Sequence, residues 1–133
     1  MSRSPSGLCH ITPDGEKIAG FYNLSAHVVR LSDLPANVAK KLPRYPAVPA
    51  TLLGRLAVNS DFRGKGIGEL LLLDAFKRVL ANAREIASAV VVVDAKDDRA
   101  RKFYLHHDFI PLPSQPNRLF YPVKTIEKLF GKQ

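Results

Sequence analysis

Six consecutive residues, Arg63-Gly64-Lys65-Gly66-Ile67-Gly68, concentrate the chemical potential of this chain. Glycines at alternate positions let a backbone turn tightly and come close to a ligand. Successive N–H groups then converge on one point, and a helix starting there adds its positive end. Such a loop is a socket for a phosphate or pyrophosphate, and Lys65 adds a charge. The spacing is not the Gly-x-Gly-x-x-Gly of a dinucleotide-binding turn, and Gly66 is followed by Ile67 where a P-loop would continue Lys-Ser/Thr. On the loop alone, a plain tight connection between a strand and a helix stays open.

The loop needs a strand before it and a helix after it. Thr51 to Val58 reads as that strand. Gly68 to Ala83 reads as that helix, with Ile67, Leu71, Leu72, Ala75, Phe76, Val79, Leu80 and Ala83 on one apolar face and Glu69, Lys77 and Arg84 away from it. Upstream, Leu8–Thr12 and Lys17–Ala26 form a hairpin through Pro13-Asp14-Gly15, with Val28–Leu31 extending its second strand. Pro35–Leu42 is a short helix with Asp33 as a cap, and the prolines of Pro43–Pro49 require extended chain. Downstream, the β-branched run in Ser88–Val93 is a strand covered on both faces. Asp97–His107 is a short helix capped by Asp97 or Asp98. Phe109-Ile110 and Arg118–Val123 are late strands joined by a proline-rich loop, Pro111–Pro116, and Thr125–Phe130 is a terminal helical turn. This order predicts an α/β (α+β) fold, a mixed sheet flanked by helices, in one domain over residues 1–133.

Composition narrows the function. The chain is 46% hydrophobic, enough for a core. It has no run of about 18 apolar residues and thus no expected membrane span, and Met1–Ser6 lacks a signal-peptide core. The one cysteine, Cys9, excludes an internal disulfide, fits a reducing cytoplasm and reads as a small core residue. The four histidines show no metal-ligand spacing, so no metal is expected; His106 and His107 read as surface or helix-end polarity. Lys and Arg number 20 against 12 Asp and Glu, a net charge of +8. That excess attracts polyanions, nucleic acid among them.

Arg63-x-x-Gly66-x-Gly68 resembles the Gln/Arg-x-x-Gly-x-Gly/Ala signature of the GNAT acyl-CoA-dependent N-acetyltransferases. Asp97-Asp98-Arg99-Ala100-Arg101-Lys102-Phe103-Tyr104, followed by Phe109, resembles that family's Asn-x-x-Ala-x-x-Phe-Tyr-x-x-x-Gly-Phe element. The resemblance implies a GNAT fold with acetyl-CoA as cosubstrate. It implies that Arg63, Gly64, Lys65, Gly66, Ile67 and Gly68 hold the pyrophosphate, and that the strand edge at Leu56, Ala57 and Val58 pairs with the pantetheine arm like an added strand. Asp97 stands where the family has Asn facing that arm. Asp108 stands where Gly is usual, at a position expected to be left-handed, which Asp tolerates better than most residues. A GNAT fold is also expected to begin with a strand and one or two helices before the first hairpin. Only Met1–Gly7 precede it here, so the chain reads as short at its N-terminus.

Tyr104 is the candidate catalytic acid. A phenol with a pKa of about 10 is protonated at pH 7 and can donate to a departing sulfur; the family's Phe-Tyr tyrosine implies the same role. Packing with a polar tip is the alternative. No carboxylate reads as its partner base: Glu69, Asp74 and Glu85 are placed elsewhere. A lysine acceptor, pKa about 10.4, needs help losing its proton, whereas an α-amine of about 8 is partly neutral already. A site with a weak base therefore suits an α-amine.

Ser25-Ala26-His27, Lys40-Lys41-Leu42-Pro43-Arg44-Tyr45-Pro46 and Leu53–Val58 resemble a narrower group, the GNAT toxins of bacterial toxin–antitoxin pairs. That resemblance implies acetylation of the α-amino group of aminoacyl-tRNA, a block of translation, and a ribbon-helix-helix antitoxin that masks the site. A homodimer is compatible with it. Lys40, Lys41, Arg44, Arg99 and Arg101 are then candidate phosphate contacts, each equally readable as a solvated surface charge. Two other functions stay open: a GNAT acting on a small amine or a protein N-terminus, and a non-catalytic antitoxin-binding remnant.

Overall fold

The computed structural model describes residues 9–11, 19–82 and 88–131. Their strands form one six-stranded sheet in the order β1-β2-β3-β4-β6-β5. The strands are β1 (Cys9–Ile11), β2 (Gly20–Arg30), β3 (Ala47–Val58), β4 (Val90–Asp94), β5 (Ile110–Leu112) and β6 (Gln115–Pro122); the helices are α1 (Ala36–Ala39), α2 (Ile67–Asn82), α3 (Asp98–His106) and α4 (Val123–Leu129). All neighbouring strands are antiparallel except β3 and β4, which run parallel because α2 crosses between them.

Alternation along the strands sorts the core into two layers. Tyr22, Leu24, Leu53, Val91, Val93, Leu119 and Tyr121 face α2, α3 and α4, where they pack with Leu71, Leu72, Ala75, Phe76, Val79, Tyr104 and Ile126. Val29, Val48, Ala50, Val90, Val92 and Phe120 face the opposite way, beneath Leu34 and partly buried residues of the β2–β3 connection. All four valines of the run are at most 1% exposed, which explains why this strand shows no polar alternation.

Several boundaries differ from the sequence reading. β2 is continuous to Arg30, and a register shift at Asn23/Leu24 carries it across the point where the periodicity changes. α1 is a single turn, because Pro43 disfavours helix at Leu42 and the chain leaves the helix at Lys40. β3 begins at Ala47, four residues before the expected start at Thr51, and takes in Pro49, which pairs with Val28. The expected proline-rich loop is instead a tight hairpin: Pro111 lies in edge strand β5, and Pro116 in the part of β6 beyond its pairing with β4, both places where a missing N–H is tolerated. The turn Pro13-Asp14-Gly15, the surroundings of Cys9, and Ala83, Arg84 and Glu85 lie outside the described residues. Asp108 has φ 70°, the left-handed backbone expected there.

Candidate active site

Parallel pairing of β3 with β4 runs from Ala50↔Val90 to Leu53↔Val93 and stops there. β3 continues to Val58 while β4 ends at Asp94, so the two strands separate into a fork. Between its arms lies a cleft of about 440 Å³. One arm contributes Leu56, Ala57 and Val58, whose edge toward β4 has no strand partner among the described residues; the other contributes Lys96 and Asp97.

The glycine loop closes one end of the cleft. A 3-10 turn, Ser60–Phe62, is capped by Asn59, whose Oδ1 accepts from the Asp61 N–H at 2.9 Å. The chain then passes Gly64 (φ 78°) and Gly66 (φ 75°) into α2. A Cβ at either glycine would meet nothing within 4 Å, so glycine is required here by the backbone, and the space in front of it is open. The first-turn amides of a helix have no intrahelical acceptor, so those of α2 are available to an anion. Gly68 is close-packed: a Cβ would lie 3.4 Å from the Phe103 ring, which ties the loop to α3.

Tyr104 lines the cleft from α3. Asp97 caps that helix, its Oδ1 accepting from the Ala100 N–H at 2.8 Å. One carboxylate oxygen is therefore engaged in the cap, and the residue also lines the cleft. The Tyr104 ring stands edge-on to Phe103 at 5.3 Å and tilted against Phe109 at 5.1 Å; Phe109 in turn meets Tyr121 at 5.2 Å and Phe76 at 6.0 Å. This aromatic cluster fixes the phenol in place, each such pair contributing about 0.5–1.5 kcal/mol beyond burial. Tyr104 is only 7% exposed, and burial pushes its pKa up to about 12. The phenol therefore stays a proton donor throughout the neutral range.

Of the residues singled out in the sequence, Leu56, Ala57, Val58, Arg63, Gly64, Gly66, Ile67, Gly68, Asp97, Arg99 and Tyr104 line this one cleft. Lys65 lies outside the lining, with its Nζ 5.7 Å from the centroid of the Phe62 ring. Arg101 uses its Nε–H on the Pro116 carbonyl at 3.0 Å, pinning α3 to the last hairpin. Lys40, Lys41 and Arg44 are exposed in the β2–β3 connection, where Arg30, Arg44 and Tyr45 border a separate open groove of about 610 Å³. Two carboxylates set aside as bases have partners of their own: Asp74 Oδ2 accepts from the Tyr22 hydroxyl at 2.6 Å, and Glu69 lies 3.7 Å from His107. His107, read as surface or helix-end polarity, is the C-terminal cap of α3 and is half-buried there, its ring edge-on to Phe103 at 4.7 Å. Among the described residues no cluster of His, Cys, Asp or Glu could hold a metal ion, and no helix is long and apolar enough to cross a membrane.

Phe62, Lys96, Ala100 and Phe103 were missed as lining residues, as was a charged cluster at the apex of the fork. Arg118 donates through Nε to Asp94 Oδ1 at 2.6 Å and through Nη2 to Asp94 Oδ2 at 2.7 Å, and its Nη1 lies 3.2 Å from His27 Nε2. These hydrogen bonds hold the Asp94 carboxyl below its usual range, against partial desolvation. The available signal was Asp94 itself, a charge ending an apolar strand where its neighbour turns away.

A cleft with an anion-binding loop at one end, a free strand edge along its side and a buried phenol in its wall fits an acyl-CoA in extended form. Residues 6–111 match the acetyltransferase (GNAT) domain family. The chain belongs to that family. It is 34% identical over 125 residues to a protein of Sinorhizobium fredii named probable toxin TacT, covering 89% of this chain and 69% of that one. It is 37% identical over 123 residues to a tRNA-acetylating toxin of Mycobacterium tuberculosis, covering 92% and 73%. Among solved structures, AtaT complexed with acetyl-methionyl-tRNAfMet superposes with a TM-score of 0.79 at 33% identity, over 92% of this chain and 72% of that one. A Tyr-to-Phe mutant of AtaT bound to acetyl-CoA and the C-terminus of the antitoxin AtaR superposes with a TM-score of 0.69 at 28% identity, over 85% and 64%.

Proposed function

We propose that this chain is an acetyl-CoA-dependent N-acetyltransferase that acts as a toxin, acetylating the α-amino group of aminoacyl-tRNA and so blocking translation. The fork supports this reading: glycine loop, strand edge and phenol all line one cleft, and these are the elements a phosphate, a pantetheine arm and a thioester require. The amides of Arg63–Gly68 hold the pyrophosphate, with Arg63 and Lys65 adding charge. The β3 edge at Leu56–Val58 pairs with the pantetheine amides, and the free oxygen of Asp97 meets the arm from the other side. The neutral α-amine attacks the thioester carbonyl, a C–N bond forms and the C–S bond breaks. The Tyr104 hydroxyl hydrogen-bonds the departing sulfur and supplies the proton that makes it a thiol. The amine's proton leaves to solvent, which also reprotonates the phenol. Fixing the two reactants in this geometry provides much of the rate.

The net charge of +8 supports a polyanionic acceptor, and Lys40, Lys41, Arg44, Arg99 and Arg101 are the proposed phosphate contacts. We further propose one catalytic domain over residues 1–133, action in the cytoplasm where aminoacyl-tRNA is found, a ribbon-helix-helix antitoxin as partner, and a homodimer as the assembly. The test is transfer of labelled acetyl from acetyl-CoA to bulk charged tRNA, with uncharged tRNA and Tyr104→Phe as controls. Label on charged tRNA only, lost in the variant, is expected. Label on free amines or protein N-termini instead would replace tRNA as the acceptor.

A further inference from the structure

The fork has two faces, and they differ. On one, α2 and α3 close over the cleft with Phe103, Tyr104 and Ile67. On the other, the strands carry Asp94 and Arg118. Val91 and Val93 face the helices while Val90 and Val92 face away, so Asp94 projects to the side away from the helices. Arg118 is its direct partner on β6, and His27 reaches the same guanidinium from β2.

This pair is built as a recognition element. Arg118 spends Nε–H and one Nη2–H on the two Asp94 oxygens, and a third hydrogen, on Nη1, faces His27. A guanidinium has five N–H donors and remains protonated, so the His27 nitrogen facing it must offer a lone pair, and two donors of Arg118 are left over. The Asp94 side chain is 55% exposed and keeps lone pairs toward solvent, while Arg118 is 25% exposed and cannot swing away. A fixed acceptor and a fixed donor therefore stand side by side at the point where β3 leaves β4. Close by on β3, Gly54 carries no side chain: a Cβ would come within 2.8 Å of Asn23 Oδ1. Among the described residues that buried oxygen has no hydrogen-bond partner, an unmet demand at the same apex.

We infer that Asp94 and Arg118 form the recognition site for the α-aminoacyl group of the acceptor, Asp94 accepting from its amine N–H and Arg118 donating to its carbonyl oxygen. An α-aminoacyl group places a donor nitrogen and an acceptor oxygen on adjacent carbons, which is the complement of this pair. A lysine side chain or a simple amine has the nitrogen without the carbonyl. The inference rests on the proposed acetyl donor lying in the cleft, because the amine held at the apex then faces the thioester from the side the helices leave open. Asp94 and Arg118 thereby select for an α-amine, and His27 is a positioning residue that keeps the guanidinium planar to the carboxylate.

The test separates recognition from transfer. Binding of an α-amino acid amide, and of the amine with the same side chain but no carbonyl, is measured by calorimetry on the full chain with CoA present. The wild type is expected to prefer the amide by at least about 10-fold, the size of one hydrogen bond to a charged group. Arg118→Gln is expected to erase that preference, and Asp94→Asn, which changes the partner of the nitrogen both ligands share, to weaken both alike by about 10-fold, while acetyl-CoA affinity stays within about 2-fold in each; thermal melting confirms folding, and the half-exposed Asp94 variant carries the test if Arg118→Gln unfolds. Equal binding of both amines by the wild type, a preference retained in folded Arg118→Gln, or unweakened binding of both ligands by folded Asp94→Asn overturns the inference. Preference for the amide without acetyl transfer to charged tRNA leaves this inference standing and removes the proposed function.

Discussion

The two faces of the fork solve different problems with different materials. On the donor face the working groups are mostly backbone: loop amides shaped by Gly64 and Gly66, and a strand edge that any sequence of the right conformation would offer. Phe103 and Phe109 pack directly on Tyr104, the proposed catalytic side chain, and Phe76 and Tyr121 back Phe109. On the acceptor face the working groups are side chains, Asp94, Arg118 and His27, partly exposed and held by one another. Backbone sites recognise what is constant in a substrate, here a pyrophosphate and two amides. Side-chain sites choose among acceptors, because a single substitution changes the pattern of donors and acceptors without disturbing the fold.

Substitutions on each side sharpen that contrast. The largest effect is expected for Tyr104→Phe: acetyl transfer falls about 100-fold, the usual scale for losing a positioned acid. Acetyl-CoA affinity, measured by calorimetry, should stay unchanged, since the ring and its aromatic neighbours remain. A comparable loss of affinity would move Tyr104 from the chemistry to the binding of the donor.

The same residue sets an expected pH signature in stability. Burial raises the Tyr104 pKa from 10.0 to about 12. An unfolded chain ionises this phenol first, so its contribution is fully present below pH 10 and is lost as pH rises through about 12. Chemical denaturation across that window should show a decline of about 2–3 kcal/mol from this group. The Tyr104→Phe profile should be flatter; an identical profile would show that the phenol is solvated.

Gly20→Ala attacks the joint beneath the donor face. Its Cβ would lie 2.7 Å from both the Ala57 carbonyl oxygen and Leu71 Cδ1. Backbone oxygen cannot give way, so a loss of about 1–3 kcal/mol is expected in urea unfolding. Gly66→Ala has free space but φ 75°, and should cost about 1–2 kcal/mol while weakening acetyl-CoA. Weakened acetyl-CoA binding with unchanged transfer at saturation would mark the loop as donor-binding only.

The smallest effect is expected on the acceptor side, from Lys40→Ala, Lys41→Ala and Arg44→Ala. Each should weaken tRNA binding and lower the slope of log affinity against log salt by about 1, the signature of one lost phosphate contact. No change in slope would make that residue a solvated charge.

The donor face was largely legible in the sequence, because its signals are local. A glycine loop between an apolar strand and a helix, and a helix cap ahead of Phe103-Tyr104, fix their own geometry within a few residues. The left-handed backbone at Asp108 was readable for the same reason. The acceptor face was not. Asp94, Arg118 and His27 come from three strands and meet only through the sheet register, to which no local pattern points. Local reading also misjudged Pro111 and Pro116, since whether a strand tolerates proline depends on its place in the sheet. His107 ends α3, in keeping with its reading as surface or helix-end polarity, but its contact with Glu69 depends on the packing of two helices and has no local signal.

The central claim is that the acetyl group passes from the cleft to an α-amine presented at the fork. Mass spectrometry of the aminoacyl end released from charged tRNA after incubation with acetyl-CoA tests it most directly. The account predicts one added acetyl on the α-nitrogen with wild type, and its near absence with Tyr104→Phe. An acetyl on a side-chain amine, on the nucleotide, or on uncharged tRNA would contradict it.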